Sequence, residues 1–102
     1  MKQYVEVHYF VKSGKREEFY RAVLAQGIAE ASRAEAGNRM YAYYCSPDNA
    51  DELLLIELWE SEEAVRLHGQ TPHFAALGEL KQRYVERTDI RRYGIAEETA
   101  PC

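Results

Sequence analysis

Residues 3–11 of this 102-residue chain read QYVEVHYFV and residues 52–60 read ELLLIELWE. Side chains alternate along a strand. In the first stretch Val5, Val7, Tyr9 and Val11 therefore share one face, and Tyr4, Glu6, His8 and Phe10 the other. In the second, Leu53, Leu55, Glu57 and Trp59 oppose Leu54, Ile56 and Leu58. A strand with one face in water needs only one apolar side. Two strands that are substantially apolar on both sides demand a cover on each face of their sheet.

The rest of the chain supplies one cover. Ser13 and Gly14 make a turn, and a helical period follows from Lys15 to about Glu35, with Glu17 and Glu18 in the first turn where the helix dipole favours acids. Phe19, Tyr20, Val23, Leu24, Gly27, Ala31 and Ala34 fall on one face of that helix, with Ile28 at its edge, and Gly37 and Asn38 end it in the manner of a left-handed cap. Residues 39–45 form a strand joined by the turn-rich stretch 46–51 to the strand 52–60, so these two should pair antiparallel. Ser61 caps a short helix running to about His68. Thr71 caps another that runs to about Glu86 with Pro72 in its first turn and His73, Leu77, Leu80 and Tyr84 along one seam. A last strand spans 88–95.

The order β-α-β-β-α-α-β predicts an α+β, ferredoxin-like sandwich: a four-stranded antiparallel sheet with its helices on one face. The length predicts a single domain over 1–102, with a core of about 3–95 and a tail at 96–102. No helix is left for the second sheet face. An apolar face on so small a chain is expected to be an interface, which predicts a homodimer packed sheet on sheet.

Composition excludes several classes. With 46% hydrophobic and 29% charged residues the chain is ordinary and globular, and its formal charge of −4 with scattered basic residues argues against nucleic acid and anionic membranes as partners. No run approaches the roughly 18 apolar residues of a membrane span. The first residues lack a secretion signal, which makes the cytoplasm the expected location. The two cysteines, Cys45 and Cys102, form no disulfide framework, and Cys45 reads as a small buried apolar residue. His68 and His73 lie five residues apart across a helix break, with no HxxxH or carboxylate pattern beside them, so no metal is expected. No phosphate-binding or dinucleotide motif appears.

One segment is more specific. Glu57-x-Trp59-Glu60-Ser61-x-Glu63-Ala64 followed by His68-x-x-Thr71-Pro72-His73-Phe74, with Lys12-Ser13-Gly14-Lys15 ahead of a long first helix, resembles the antibiotic biosynthesis monooxygenase (ABM) family across about residues 3–95. The likeness is to its bacterial quinol monooxygenase branch and to the isomerase of the phosphorylated autoinducer-2 signal. It implies a dimeric sandwich with a pocket between sheet and helices, and often oxygenation of phenols or hydroquinones without metal or flavin. The haem-degrading members use an Asn and a His where this chain has about Val7 and Gly78, so haem is not implied here.

The candidate site follows. His73 and His68 are candidate catalytic bases; a helix N-terminus and burial disfavour imidazolium, and a neutral His73 accepts a proton from a hydroxyl. Each also reads as a residue packing the helix junction. Trp59, Phe74 and Tyr43 would wall the pocket, with core packing the alternative for Trp59. Glu57 is either a pocket carboxylate or a partner of Arg91 or Arg92. The function expected is a cofactor-independent monooxygenase taking a small aromatic or quinol-like substrate and O₂. The alternatives are isomerisation of a phosphorylated dione, which needs cations such as Arg39 or Arg91, and a non-catalytic ligand-binding domain.

Overall fold

The computed structural model describes residues 1–96. Its elements are β1 (Lys2–Val11), α1 (Arg16–Ala25), α2 (Ile28–Arg33), β2 (Asn38–Cys45), β3 (Glu52–Trp59), α3 (Glu62–His68), α4 (Pro72–Tyr84) and β4 (Val85–Ile95). The sheet runs β2-β3-β1-β4, antiparallel throughout, with the helices on one face. This is the ferredoxin-like sandwich expected from the order of elements. The polar tail lies, from residue 97 on, outside the described residues, as does Cys102.

Burial alternates without a break along β1 and β3. Val5, Val7, Tyr9, Val11, Leu53, Leu55 and Trp59 meet Phe19, Val23, Ile28, Leu77, Leu80 and Tyr84 from the helices. The opposite face is open: Tyr4, Glu6, His8, Phe10, Leu54, Ile56 and Leu58 are half-buried and no described helix covers them. No described helix is long and apolar enough to cross a membrane.

The long first helix divides. Gly27 adopts φ 70, a left-handed conformation that glycine enters without a Cβ clash. The break resets the helical phase, so Ile28, Ala29 and Ser32 become the buried face of α2, while Leu24 and Ala34 point to water. Ser32 is buried at no cost in unmet hydrogen bonding, because its hydroxyl donates to the Ile28 carbonyl at 2.8 Å.

Gly37 is not a left-handed cap, since among the described residues only Gly14 and Gly27 have positive φ. It is needed for space: a Cβ added there would overlap the Cβ of Ala64. The Gly37 carbonyl also accepts from the Glu60 N–H at 2.8 Å. The turn after α2 is thereby held against the start of α3. Cys45, the last residue of β2, is exposed and not buried. The last helix ends at Tyr84 and the strand begins at Val85, short of the helix end expected near Glu86 and ahead of the strand start expected at 88; the Val85 N–H closes the helix on the Lys81 carbonyl.

The junction of α3 and α4 is built from caps. The Ser61 hydroxyl accepts from the Ala64 N–H at 3.1 Å, and the Thr71 hydroxyl accepts from the Phe74 N–H at 3.2 Å. Thr71 also donates to the His68 carbonyl at 2.7 Å. One threonine thus ends α3 and starts α4, contributing about 1 kcal/mol as a cap and setting how far His68 and His73 stand apart.

Candidate functional site

His68 is the last residue of α3 and is 5% exposed. Its Nδ1 lies 2.6 Å from Glu35 Oε2, and His73 Nε2 lies 2.7 Å from the same oxygen. Three segments converge here: the turn after α2, the end of α3 and the first turn of α4. A carboxylate offers only acceptors, so both rings present N–H groups to it in short, charge-assisted bonds. With Nδ1–H committed to Glu35, the lone pair of neutral His68 sits on Nε2. No described residue hydrogen-bonds that atom, and no side-chain polar atom of the described residues is buried without a partner. Nε2 therefore opens into the cavity that His68 lines.

Aromatic rings hold the imidazole in place. Trp59 lies along it with centroids 4.6 Å apart and planes inclined by 36°. Phe74 meets it edge-on at 5.3 Å and Tyr41 at 6.0 Å. The buried Trp59 indole N–H donates to Glu57 Oε1 at 2.8 Å, which answers the need of a buried indole for a polar partner.

The cavity, about 280 Å³, lies between the helix-facing side of the sheet and α3 and α4. Val5, Val7, Leu77, Phe74 and Ile90 give it apolar walls; Tyr9, Tyr41, Glu57, His68, Lys81 and Arg92 give it polar groups. The register explains part of this set. Tyr41 pairs with Glu57, Glu57 with Val5, and Val5 with Arg92, so one row crosses all four strands on the helix side. On α4, Phe74, Leu77, Gly78 and Lys81 recur at helical spacing and form the opposite wall.

Burial dominates the electrostatics. It pushes the Glu57 carboxyl up, opposed by the Trp59 hydrogen bond and the nearby His68 and reinforced by Glu35. Burial also raises the Tyr41 phenol to about 12 and pushes the Tyr9 phenol well up. It pushes the Lys81 ammonium down.

Of the residues expected at the site, His68, Phe74 and Glu57 line the cavity. Glu57 is tied to Trp59 and not to Arg91 or Arg92. Trp59 is fully buried and stands behind His68. Tyr43 also stands back, packed edge-on against Tyr20 and Tyr41. His73 reaches the cavity only through Glu35 and His68. The absence of a carboxylate partner for the histidines is corrected: Glu35, 33 and 38 residues away in sequence, serves both. The three ligand atoms lie within 4.8 Å of one another, a two-histidine, one-carboxylate set suited to a divalent transition metal; here two hydrogen bonds link them.

Tyr9, Tyr41, Lys81, Arg92 and Glu35 were missed. Tyr41 carried a signal, because it shares the strand face of Tyr43, and Lys81 extends the helical stripe that begins at Phe74. Glu35 carried none, since nothing local marks a turn carboxylate as a partner of a distant helix end.

Known proteins share this fold. YcnE of Bacillus subtilis (strain 168), itself a candidate monooxygenase, is 38% identical over 64 residues; the match spans 63% of this chain and 65% of that protein, just under two-thirds of its length. The solved structure of Rv0793 from Mycobacterium tuberculosis superposes with a TM-score of 0.84 at 25% identity, covering 98% of this chain and 100% of that one. A candidate antibiotic biosynthesis monooxygenase from Nitrosomonas europaea gives a TM-score of 0.82 at 23% identity, over 93% of this chain and 99% of that one, a likeness of fold alone. The family model for antibiotic biosynthesis monooxygenases matches residues 3–80. The chain belongs to the antibiotic biosynthesis monooxygenase family.

Proposed function

We infer that this protein is a cofactor-independent monooxygenase for a small phenol or hydroquinone, with His68 as the general base. The observation that carries this reading is the pairing of His68 Nδ1 with Glu35, which leaves Nε2 as a proton acceptor inside an apolar cavity. A base oriented by a second group is the arrangement that proton abstraction needs. Nε2 takes the proton of a ring hydroxyl, and the resulting anion is electron-rich enough to pass an electron to O₂. One oxygen atom then bonds to a ring carbon, the O–O bond breaks and the other leaves as water. Hydroquinone and O₂ so give hydroxyquinone and H₂O, with atoms and electrons balanced. The apolar walls limit water around the anion. His73, which shares the Glu35 oxygen, acts as a positioning residue.

Oxygen uptake with a menadiol-like quinol tests this. The wild-type protein should consume O₂ with the quinol, and His68→Ala should lose that uptake while retaining its fold by circular dichroism. Full activity in His68→Ala would sink the reading. The two cations considered for the isomerase alternative stand outside the cavity. Arg39 is ion-paired with Glu60 at the sheet edge, and Arg91 lies on the face away from the helices, beside Glu6. The open sheet face, with its half-buried Tyr4, Phe10, Leu54, Ile56 and Leu58, supports a homodimer. Light scattering at micromolar concentration checks it; a monomer would refute it.

A further inference from the structure

We propose that the cavity selects an aromatic acid, binding the ring hydroxyl at His68 and a carboxylate at the far end on Lys81. This rests on the reading of His68 as the base and names the class of substrate that the base would meet.

The cavity has two distinct ends. Val5, Val7 and Tyr9 line its floor, and at roughly 3.4 Å per strand residue the floor from Val5 to Tyr9 is about 14 Å long. The row Tyr41, Glu57, Val5 and Arg92 crosses the sheet at one end. His68 belongs to that end, since it contacts Tyr41 and Trp59. Lys81 belongs to the other: its Nζ lies 5.7 Å from the centroid of the Tyr9 ring. Between the ends the walls are Val7, Leu77 and Ile90. An occupant that satisfies the whole length is flat and apolar in the middle, with a hydroxyl at one end and an anion at the other.

Lys81 is the group left wanting. It is half-buried and forms no ion pair with a described residue; its nearest electrostatic partner is the Tyr9 ring. Burial without a counter-ion disfavours the ammonium. A carboxylate arriving from solution would supply the missing charge in a setting where water screens it poorly. Arg92 is a weaker candidate, because it is exposed on the edge strand and its charge is screened. Glu57, a carboxyl in the cavity wall, stands in the strand row at the His68 end, away from Lys81.

The probes are 6-hydroxy-2-naphthoate, with hydroxyl and carboxylate at opposite ends, and 2-naphthol, the same ring system without the acid. Both are fluorescent and are titrated without oxygen at neutral pH. The wild-type protein should bind the naphthoate about tenfold more tightly than the naphthol, the gain of one partly desolvated ion pair. Lys81→Met and Lys81→Gln should erase that preference while leaving naphthol affinity within about twofold. Equal wild-type affinity for the two probes would overturn the inference. So would a preference that survives at Lys81→Met and disappears at Arg92→Met. Displacement of the naphthoate by millimolar inorganic phosphate would overturn it too, by making the site a bare anion trap. Because binding is read without turnover, loss of charge preference fails this inference alone. Intact binding with no oxygen uptake on any quinol fails the base reading alone.

Discussion

Glu35 Oε2 stands 2.6 Å from His68 Nδ1 across 33 residues of sequence. The contact fixes which imidazole nitrogen faces the cavity, and fixed tautomers are how a second residue raises the usefulness of a base. Glu35→Ala should lower kcat for quinol oxygenation about 10–100-fold, the usual effect of losing an orienting partner, with little change in KM. Oxygen-uptake kinetics measure both; an unaltered kcat would remove Glu35 from the mechanism.

Glu57 is 8% exposed, and its carboxyl is pushed above the usual range chiefly by burial. A carboxyl whose folded value is raised stabilises the fold below its unfolded value, near 4.5, and that benefit is lost as pH rises. Glu57→Gln keeps an oxygen for the Trp59 N–H but cannot ionise. Its melting temperature relative to wild type should therefore climb between pH 4.5 and neutrality. A constant difference across that range would contradict the sign.

His8 sits on the open sheet face between Glu6 and Glu52, at 2.7 and 2.6 Å. Its hydrogen bonds to Glu6 and then Glu52 raise its pKa, and the same contact with His8 chiefly lowers that of Glu6. The histidine contribution is complete below about 6.5 and fades as pH rises through the raised value. The Glu6 contribution is complete above about 4.5 and fades as pH falls through the lowered one. His8→Gln should thus be most destabilising between these two values and nearly neutral at alkaline pH. Thermal melts of the two proteins across the range decide it; a deficit that grows toward alkaline pH would reverse the assignment.

Gly78 lies inside α4 and lines the cavity. A Cβ there meets nothing within 4 Å. Gly78→Ala should stabilise the protein by about 1 kcal/mol, the helix-interior difference between the two residues, while its methyl narrows the cavity and raises KM. Calorimetry and oxygen uptake together test the pair of effects. A lower melting temperature would show that α4 uses the glycine for something other than room.

Much of this fold was legible because burial follows period. The alternation of Val5, Val7, Tyr9 with Leu53, Leu55, Trp59 fixed both the strands and the side that meets the helices. Ser61 and Thr71 announced the two later helices by chemistry that acts within three residues. Gly27 was misread, because a glycine at a plausible apolar position does not declare its φ. Gly37 was right as a punctuation mark but wrong in kind, since its neighbour Ala64 is distant in sequence. The site was legible where local pattern reaches it, at His68, Phe74 and Glu57. Trp59 and Tyr43 were set too far forward, because a strand face tells which layer a side chain enters and not how deep. Glu35 could be found only by folding the chain.

The missing side chain at Gly37 has a consequence for how the candidate base is aligned. Glu35 precedes this glycine by two residues, and Ala64 precedes His68 by one helical turn, so the close approach of Gly37 to Ala64 works as a spacer of zero thickness between the two halves of the carboxylate–imidazole pair. Hydrogen bonds of 2.6 and 2.7 Å leave little slack for inserting a methyl group. Gly37→Ala, which touches neither the cavity nor any reacting group, should therefore lower kcat through misalignment, as oxygen-uptake kinetics on the folded variant would read; an unchanged kcat would show that α3 can shift as one body and carry the alignment with it.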